Sequence, residues 1–97
     1  MTPDGAFEWD ESKNALNIAK HGVSVETASQ IFKGPVYTAT DERIDYGERR
    51  FVSVGAVENV VVLVVVHTDR DGHTRLISAR TASRKERQKY YDEIQKR

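Results

Sequence analysis

The chain has 97 residues, no cysteine and a formal net charge of zero at pH 7. This length fits one domain over residues 1–97, and the lack of cysteine excludes a disulfide framework and a thiolate zinc site. Neither a secretory leader nor an apolar window of membrane length is present, so we expect a cytoplasmic protein that does not enter membranes. The charge is uneven, because residues 1–69 carry 6 Lys and Arg against 11 Asp and Glu and residues 70–97 carry 9 against 4. The basic C-terminal third is typical of a phosphate-binding surface or of an ordinary solvated helix.

The first third of the chain predicts a short strand and two helices. Phe7-Glu8-Trp9 alternates like a strand, and Asp10 fits the N-cap of a helix that ends at Gly22. We expect the apolar side of this helix to be formed by Ala15, Leu16 and Ala19. A second helix starts at Ser24 and ends at Gly34-Pro35.

The rest of the chain predicts an antiparallel sheet followed by a helix. The apolar run Val60–Val66 indicates a central strand covered on both faces, and Asp71-Gly72 favours a tight hairpin. Ser83 and Glu86 have the spacing of a capping box at the start of a last helix. The predicted strands are 36–40, 49–57, 60–68 and 74–80. The fold class is therefore α+β, with two N-terminal helices, an antiparallel sheet of about four strands and a C-terminal helix.

Cationic side chains crowd the hairpin that follows the apolar strand. They are His67, Arg70, His73, Arg75 and Arg80. Imidazole and guanidinium groups on a stiff scaffold suit a phosphate-binding site. If the hairpin pairs around Asp71-Gly72, His67 lies opposite residue 76 or 77.

Several short motifs, taken in order, resemble a known family. They are Phe7-Glu8-Trp9-Asp10, Lys20-His21-Gly22-Val23-Ser24, Glu48-Arg49-Arg50-Phe51, Val64-Val65-Val66-His67-Thr68 and Ile77-Ser78-Ala79-Arg80-Thr81-Ala82. As a set they resemble the BrnT-type ribonuclease toxins of bacterial type II toxin–antitoxin systems, which belong to the broader RelE-like fold. The resemblance implies a toxin that cleaves RNA without a metal or other cofactor. It also implies that a BrnA-like antitoxin with a DNA-binding domain neutralises the toxin. The toxin would contact DNA only indirectly, through this antitoxin.

Metal-free RNA cleavage requires a base, an acid and cations that stabilise the phosphorane-like transition state, and it leaves a 2′,3′-cyclic phosphate. His67 is a candidate base or acid, although a strand-end histidine is as often bonded to a neighbour. Arg80 is a candidate phosphate clamp, and its alternative is a surface salt bridge to Glu48 or Asp45. We expect Arg80, His67 and Glu48 to converge at one end of the sheet.

For the other candidate site residues, a purely structural role is an alternative explanation. Lys20 and His21 fit the site, yet a cation at a helix C-terminus also has a capping role. Glu48 is a candidate base or orienting group and Arg49 a candidate cation, but an exposed ion pair explains both. The candidate RNA-backbone contacts are Arg70, Arg84 and Lys85.

Other residues are interpreted as structural. Tyr90 and Ile94 have the spacing that packs the last helix on the sheet, and His73 and Arg75 are expected to be bystanders. The three histidines do not have the spacing of a metal site. The main hypothesis is thus an RNA endonuclease toxin. The alternative is a non-catalytic protein- or DNA-binding module that uses its basic C-terminal helix, or a degenerate toxin.

Overall fold

The computed structural model describes residues 7–42 and 47–96. The elements are β1 (Phe7–Glu8), α1 (Glu11–His21), α2 (Val25–Ala28), a 3₁₀ helix (Ser29–Lys33), β2 (Val36–Asp41), β3 (Arg50–Val57), β4 (Val61–Arg70), β5 (His73–Thr81) and α3 (Arg84–Gln95). The predicted α+β class is confirmed. No helix in the described ranges has the length and apolar character needed to cross a bilayer.

The helix starts and ends follow the local sequence signals. The Asp10 side chain accepts hydrogen bonds from the backbone at the start of α1, and Gly22 ends that helix with a left-handed φ of 71°. Ser83 and Glu86 form the predicted capping box at the start of α3. The second helix differs from the prediction, because one turn of α2 continues as a 3₁₀ helix.

The sheet has five strands in the order β1-β5-β4-β3-β2. β2 to β5 pair antiparallel as predicted, but β1 pairs parallel with β5, so the sheet is mixed. The expectation of about four antiparallel strands therefore holds for β2 to β5, but it leaves out the fifth strand, which joins the sheet in parallel. Strands joined by tight hairpins must run antiparallel, whereas helices and three other strands separate β1 from β5 along the sequence, so this pair carries no such constraint.

The β4–β5 hairpin turns at Asp71 and Gly72, whose φ values of 52° and 82° fit the predicted tight turn. His67 lies opposite Leu76, which confirms the expected register. Next to this pair the register shifts, because Val66 pairs with Ser78 and leaves Ile77 as an extra residue in β5. Such a β-bulge changes which face of the sheet the following side chains occupy.

The two faces of the sheet are covered differently. On the inner face, the side chains of Leu63 and Val65 pack with α2 and the 3₁₀ helix, where Ile31 is fully buried. On the opposite face, here the α3 face, Val62 and Val64 pack with Tyr90. The central strand is therefore covered on both faces, and Tyr90 and Ile94 pack α3 on the sheet as predicted. Burial of large apolar side chains at roughly 1.5–3 kcal/mol each makes β4 the centre of the core.

The buried side of α1 is polar. Asn14 and Asn17 are buried, whereas Leu16 is 69% exposed. The prediction that Ala15, Leu16 and Ala19 face the core is therefore wrong. The reason is that α1 lies along β5 beyond the short pairing with β1, and the unpaired backbone there needs hydrogen-bonding partners that an apolar side chain does not supply.

Candidate functional site

Part of the α3 face is not covered by α3 and forms two adjoining grooves. Its half-buried side chains come from the three central strands: Arg50, Val52, Val66, Arg75, Ser78 and Arg80. α1 runs beside this open part of the face, because Lys13 near its start lines one groove and His21 at its end lines the other. A row of guanidinium groups over a rigid sheet suits a polyanionic ligand.

The first groove, here the His21 groove, has a volume of about 410 Å³. Its apolar floor is formed by Val52, Val54, Val64 and Val66. Polar side chains at its wall are His21, Ser78, Arg80 and Glu86. An imidazole and a guanidinium therefore face the same space, so a proton carrier and a phosphate-binding group lie together.

Arg80 forms a two-pronged ion pair with Glu86. Nη1 and Nη2 of Arg80 donate to the two carboxylate oxygens, each at 2.7 Å. The hydrogen bond from Arg80 lowers the pKa of Glu86 to about 2, helped by the backbone N–H of Ser83. The partner of Arg80 is thus Glu86 rather than the predicted Glu48, and Asp45 lies outside the described residues. Since Glu86 is also anchored in the capping box, it fixes the guanidinium against the start of α3.

The second groove, here the Glu48 groove, is smaller, with a volume of about 120 Å³. Its charged lining consists of Asp10, Lys13, Glu48, Arg50, Arg70 and Arg75. Glu48 accepts from Arg70 at 3.0 Å and lies 3.5 Å from Arg50. The hydrogen bond from Arg70 keeps the pKa of Glu48 below its usual value, although burial acts in the opposite direction. A carboxylate held in this way is a weak base and a good anchor for two arginines.

His67 lies on the other side of the sheet. Its ring packs on the inner face between Phe32 and Phe51, and it is only 7% exposed. Nε2 is hydrogen-bonded to Ser53 Oγ at 2.7 Å, while Nδ1 is buried with no partner among the described residues. Burial lowers the pKa of His67, which favours the neutral ring. The expected convergence of His67, Arg80 and Glu48 is wrong, because strand alternation places His67 and Arg80 on opposite faces.

The remaining predicted site residues lie outside the two grooves. Lys20, Arg49, Arg84 and Lys85 are exposed. Lys20 is seven positions from Lys13, so helical spacing puts it on the same side of α1 as the lining of the Glu48 groove. The backbone carbonyl of Arg49 accepts from Thr68 at 2.6 Å, and its side chain lines neither groove.

Two arginines of the open face were missed by the sequence interpretation. The sequence predicts Arg49 and not Arg50 as a site residue, although an inward Phe51 implies by alternation that Arg50 faces the other way. Arg75 was expected to be a bystander, but it lines the Glu48 groove and pairs with Glu8 at 2.8 Å. No sequence signal marks the bulge at Ile77 that brings Arg75 to this face.

Within residues 7–42 and 47–96, no three His, Asp or Glu side chains are grouped so as to hold a metal ion.

Comparison with known proteins agrees with the motifs. A family model described as the ribonuclease toxin BrnT of type II toxin–antitoxin systems matches residues 9–86, which include the whole lining of both grooves. The chain belongs to the BrnT family. Among solved structures, this BrnT-family chain is similar to the Brucella abortus ribonuclease toxin BrnT, with a TM-score of 0.61 and 25% identity over 80% of this chain and 96% of that chain. Comparison with curated proteins gives no match. Membership of the BrnT family implies an RNA substrate and an antitoxin partner.

Proposed function

We propose that this chain is an RNA endonuclease toxin whose active site is the open part of the α3 face. The observation that carries the proposal is the gathering of one histidine and four arginines on a part of the α3 face that α3 leaves open. These are His21, Arg50, Arg70, Arg75 and Arg80. RNA presents one negative charge per nucleotide, and guanidinium groups bind phosphate with paired hydrogen bonds, so this face fits an RNA backbone.

The proposed reaction is an internal transfer at phosphorus. A base removes the proton of the 2′-hydroxyl, the 2′-oxygen attacks the adjacent phosphorus, and the bond to the 5′-oxygen breaks. An acid gives a proton to the leaving 5′-oxygen, so the products are a 2′,3′-cyclic phosphate and a 5′-hydroxyl. Charge that builds on the phosphorus oxygens is stabilised by fixed cations, which the guanidinium groups supply without a metal ion.

We assign the chemistry to the His21 groove. His21 moves a proton, and Arg80 holds the reacting phosphate in an orientation set by Glu86. In the Glu48 groove, Arg50, Arg70 and Arg75 hold the neighbouring backbone. The lowered pKa of Glu48 makes it a poor base, and we therefore propose that it positions Arg70 and Arg50.

The other predicted residues receive lesser roles in this proposal. His67 supports the inner face of the sheet and does not meet RNA, because its ring is enclosed by Phe32 and Phe51. Lys20, Arg84 and Lys85 are exposed and add backbone contacts outside the grooves. Arg49 lies next to the site without lining it.

The proposed partner is a BrnA-like antitoxin with a DNA-binding domain, encoded beside this chain. The toxin then contacts DNA only through the antitoxin, and both proteins act in the cytoplasm, where the RNA substrate of the toxin lies. Growth arrest on expression of the chain alone, and its relief by the neighbouring reading frame, tests this part of the proposal.

Cleavage of a defined RNA tests the chemistry. Purified chain is incubated with 5′-labelled single-stranded RNA, with and without EDTA, and the ends of the products are analysed. We expect cleavage in EDTA with cyclic phosphate ends, and its loss in a folded Arg80→Ala variant purified in parallel. Cleavage that needs a divalent ion, or products with a 3′-hydroxyl, would contradict the mechanism. A wild-type chain that neither cleaves RNA nor arrests growth would contradict the function itself.

A further inference from the structure

We propose that Asn17 is a positioning residue that sets His21 against Arg80, an inference that rests on the function proposed for the His21 groove. Asn17 lies in α1 one turn before His21 and is 7% exposed. Its Nδ2 donates to the carbonyl of Val23 at 2.7 Å and to the carbonyl of Ala79 at 2.8 Å. Its Oδ1 accepts from the backbone N–H of Ala79 at 3.2 Å. One buried amide thus makes three hydrogen bonds to backbone groups far apart in the sequence.

The backbone groups held by Asn17 stand next to the two groups of the proposed reaction. Ala79 directly precedes Arg80 in β5, and Val23 follows His21 after the left-handed Gly22. Asn17 therefore ties the end of α1 to the strand that carries Arg80. His21 and Arg80 come from different elements, so their separation depends on how α1 is held beside β5.

An amide is suited to this position because no strand of residues 7–42 or 47–96 pairs with this edge of β5. In the part of the chain that the structure describes, β1 pairs with β5 at Thr74 and Arg75, so the edge beyond it needs both a donor and an acceptor. The Asn17 side chain supplies both to Ala79, as a strand would. A helix can then run beside the edge and bring His21 to the groove. A carboxylate of the same shape accepts but does not donate, and an apolar side chain does neither.

Asn14 provides a matched control in the same helix. It is 6% exposed, and its Oδ1 accepts from the backbone N–H of Val25 at 3.0 Å. Its Nδ2 donates to Glu11 at 3.2 Å. Asn14 is therefore a second buried amide of α1 that holds α2 instead of β5, and these two hydrogen bonds reach neither wall of the His21 groove. Replacing it removes a comparable set of hydrogen bonds without releasing Ala79 or Val23.

The first test compares Asn17→Ala with Asn14→Ala in single-turnover cleavage of the same labelled RNA. We expect Asn17→Ala to lower the cleavage rate constant at saturating protein by at least about tenfold, since misplaced reacting groups lose rate steeply. RNA affinity should change much less, because the Glu48 groove is untouched. Asn14→Ala should keep the wild-type rate although its thermal stability also falls. Equal rate losses in the two variants would overturn the proposal.

A double-mutant cycle separates positioning from a general structural role. In a His21→Ala background there is no imidazole to place, so Asn17→Ala should lower the residual rate by a clearly smaller factor than in the wild type. The same factor in both backgrounds would show that Asn17 does not act through His21.

Two further measurements test the proposal if Asn17→Ala does not fold or if the wild type does not cleave RNA. If Asn17→Ala does not fold, Asn17→Asp replaces it: this variant should be slow at neutral pH and recover relative to the wild type as pH falls, because a protonated carboxyl donates again. A ratio of variant rate to wild-type rate that does not change with pH would count against the proposal. If the wild type proves inactive on RNA, the imidazole NMR signals of His21 still report its placement. They should shift in the Asn17 variant and not in Asn14→Ala, and unchanged signals in both would overturn the inference.

Discussion

Arg75 and Arg80 occupy the same face of the sheet although they are five positions apart in β5. Side chains an odd number of positions apart face opposite ways in a regular strand. The extra residue at Ile77 shifts the register between the pairs His67–Leu76 and Val66–Ser78, and this brings both arginines to the open face. The bulge therefore joins the His21 groove and the Glu48 groove into one cationic surface.

This arrangement predicts that both arginines bind RNA phosphates. For single-stranded nucleic acid, each neutralised phosphate contributes about 0.7 to the slope of log affinity against log salt concentration. Arg75→Gln and Arg80→Gln should each lower that slope by about this amount in a filter-binding or anisotropy titration. Arg49→Gln is the control, because Arg49 is exposed outside both grooves. An unchanged slope in both groove variants would place the RNA elsewhere.

Substitutions of Arg80 and His67 should have different effects. Arg80→Ala should lower the cleavage rate constant by about 100-fold through loss of charge stabilisation. It should cost about 0–1 kcal/mol of unfolding free energy, since the Glu86 ion pair is partly exposed. His67→Gln retains a polar group for Ser53 and should keep most of the activity. A folded His67→Gln protein as slow as Arg80→Ala would restore His67 to the catalytic site.

The buried imidazole of His67 should make stability depend on pH. Burial lowers its pKa in the folded protein below the ordinary value of 6.5, with Asp69 opposing this effect. As pH falls below that value, the unfolded chain takes up a proton that the folded chain does not, so the free energy of unfolding decreases until the lower folded pKa is reached. Urea unfolding from neutral to mildly acidic pH should show this decrease, and His67→Gln should reduce it. The loss of the Glu86 ion pair does not interfere, because its carboxylate stays charged to a pKa of about 2.

The features that the sequence predicts correctly depend on neighbouring residues. A few adjacent residues determine the backbone conformation at a helix cap or a tight turn, as at Asp10, Ser83 and Asp71-Gly72. The central strand is equally clear, because an apolar run requires cover on both faces. Its predicted start is wrong, since Val60 lies in the turn before β4 and is 77% exposed. The class of fold follows from the order of these elements.

The features that the sequence does not predict depend on distant parts of the chain. The buried side of α1 is decided by the unpaired edge of β5, which favours Asn17 over Leu16 at the contact. The face of Arg75 is decided by the bulge at Ile77, and the role of His67 by rings from two other elements. The candidate residues His21, Arg80, Glu48 and Arg70 do line the two grooves, but their grouping requires the sheet register.

The orientation of α1 can be tested by making the same isoleucine-to-alanine substitution at one buried and one exposed position. Ile31 is fully buried against the inner face, whereas Ile18 in α1 is 46% exposed. Ile31→Ala should lower the free energy of unfolding by about 2–5 kcal/mol, because it leaves a cavity in the core. Ile18→Ala should change it by less than about 0.5 kcal/mol, since alanine also favours a helix. Chemical denaturation of both variants checks the difference. A large cost at Ile18 would mean that this side of α1 is covered in solution, and a melting temperature that rises with protein concentration would identify a second copy of the chain as the cover.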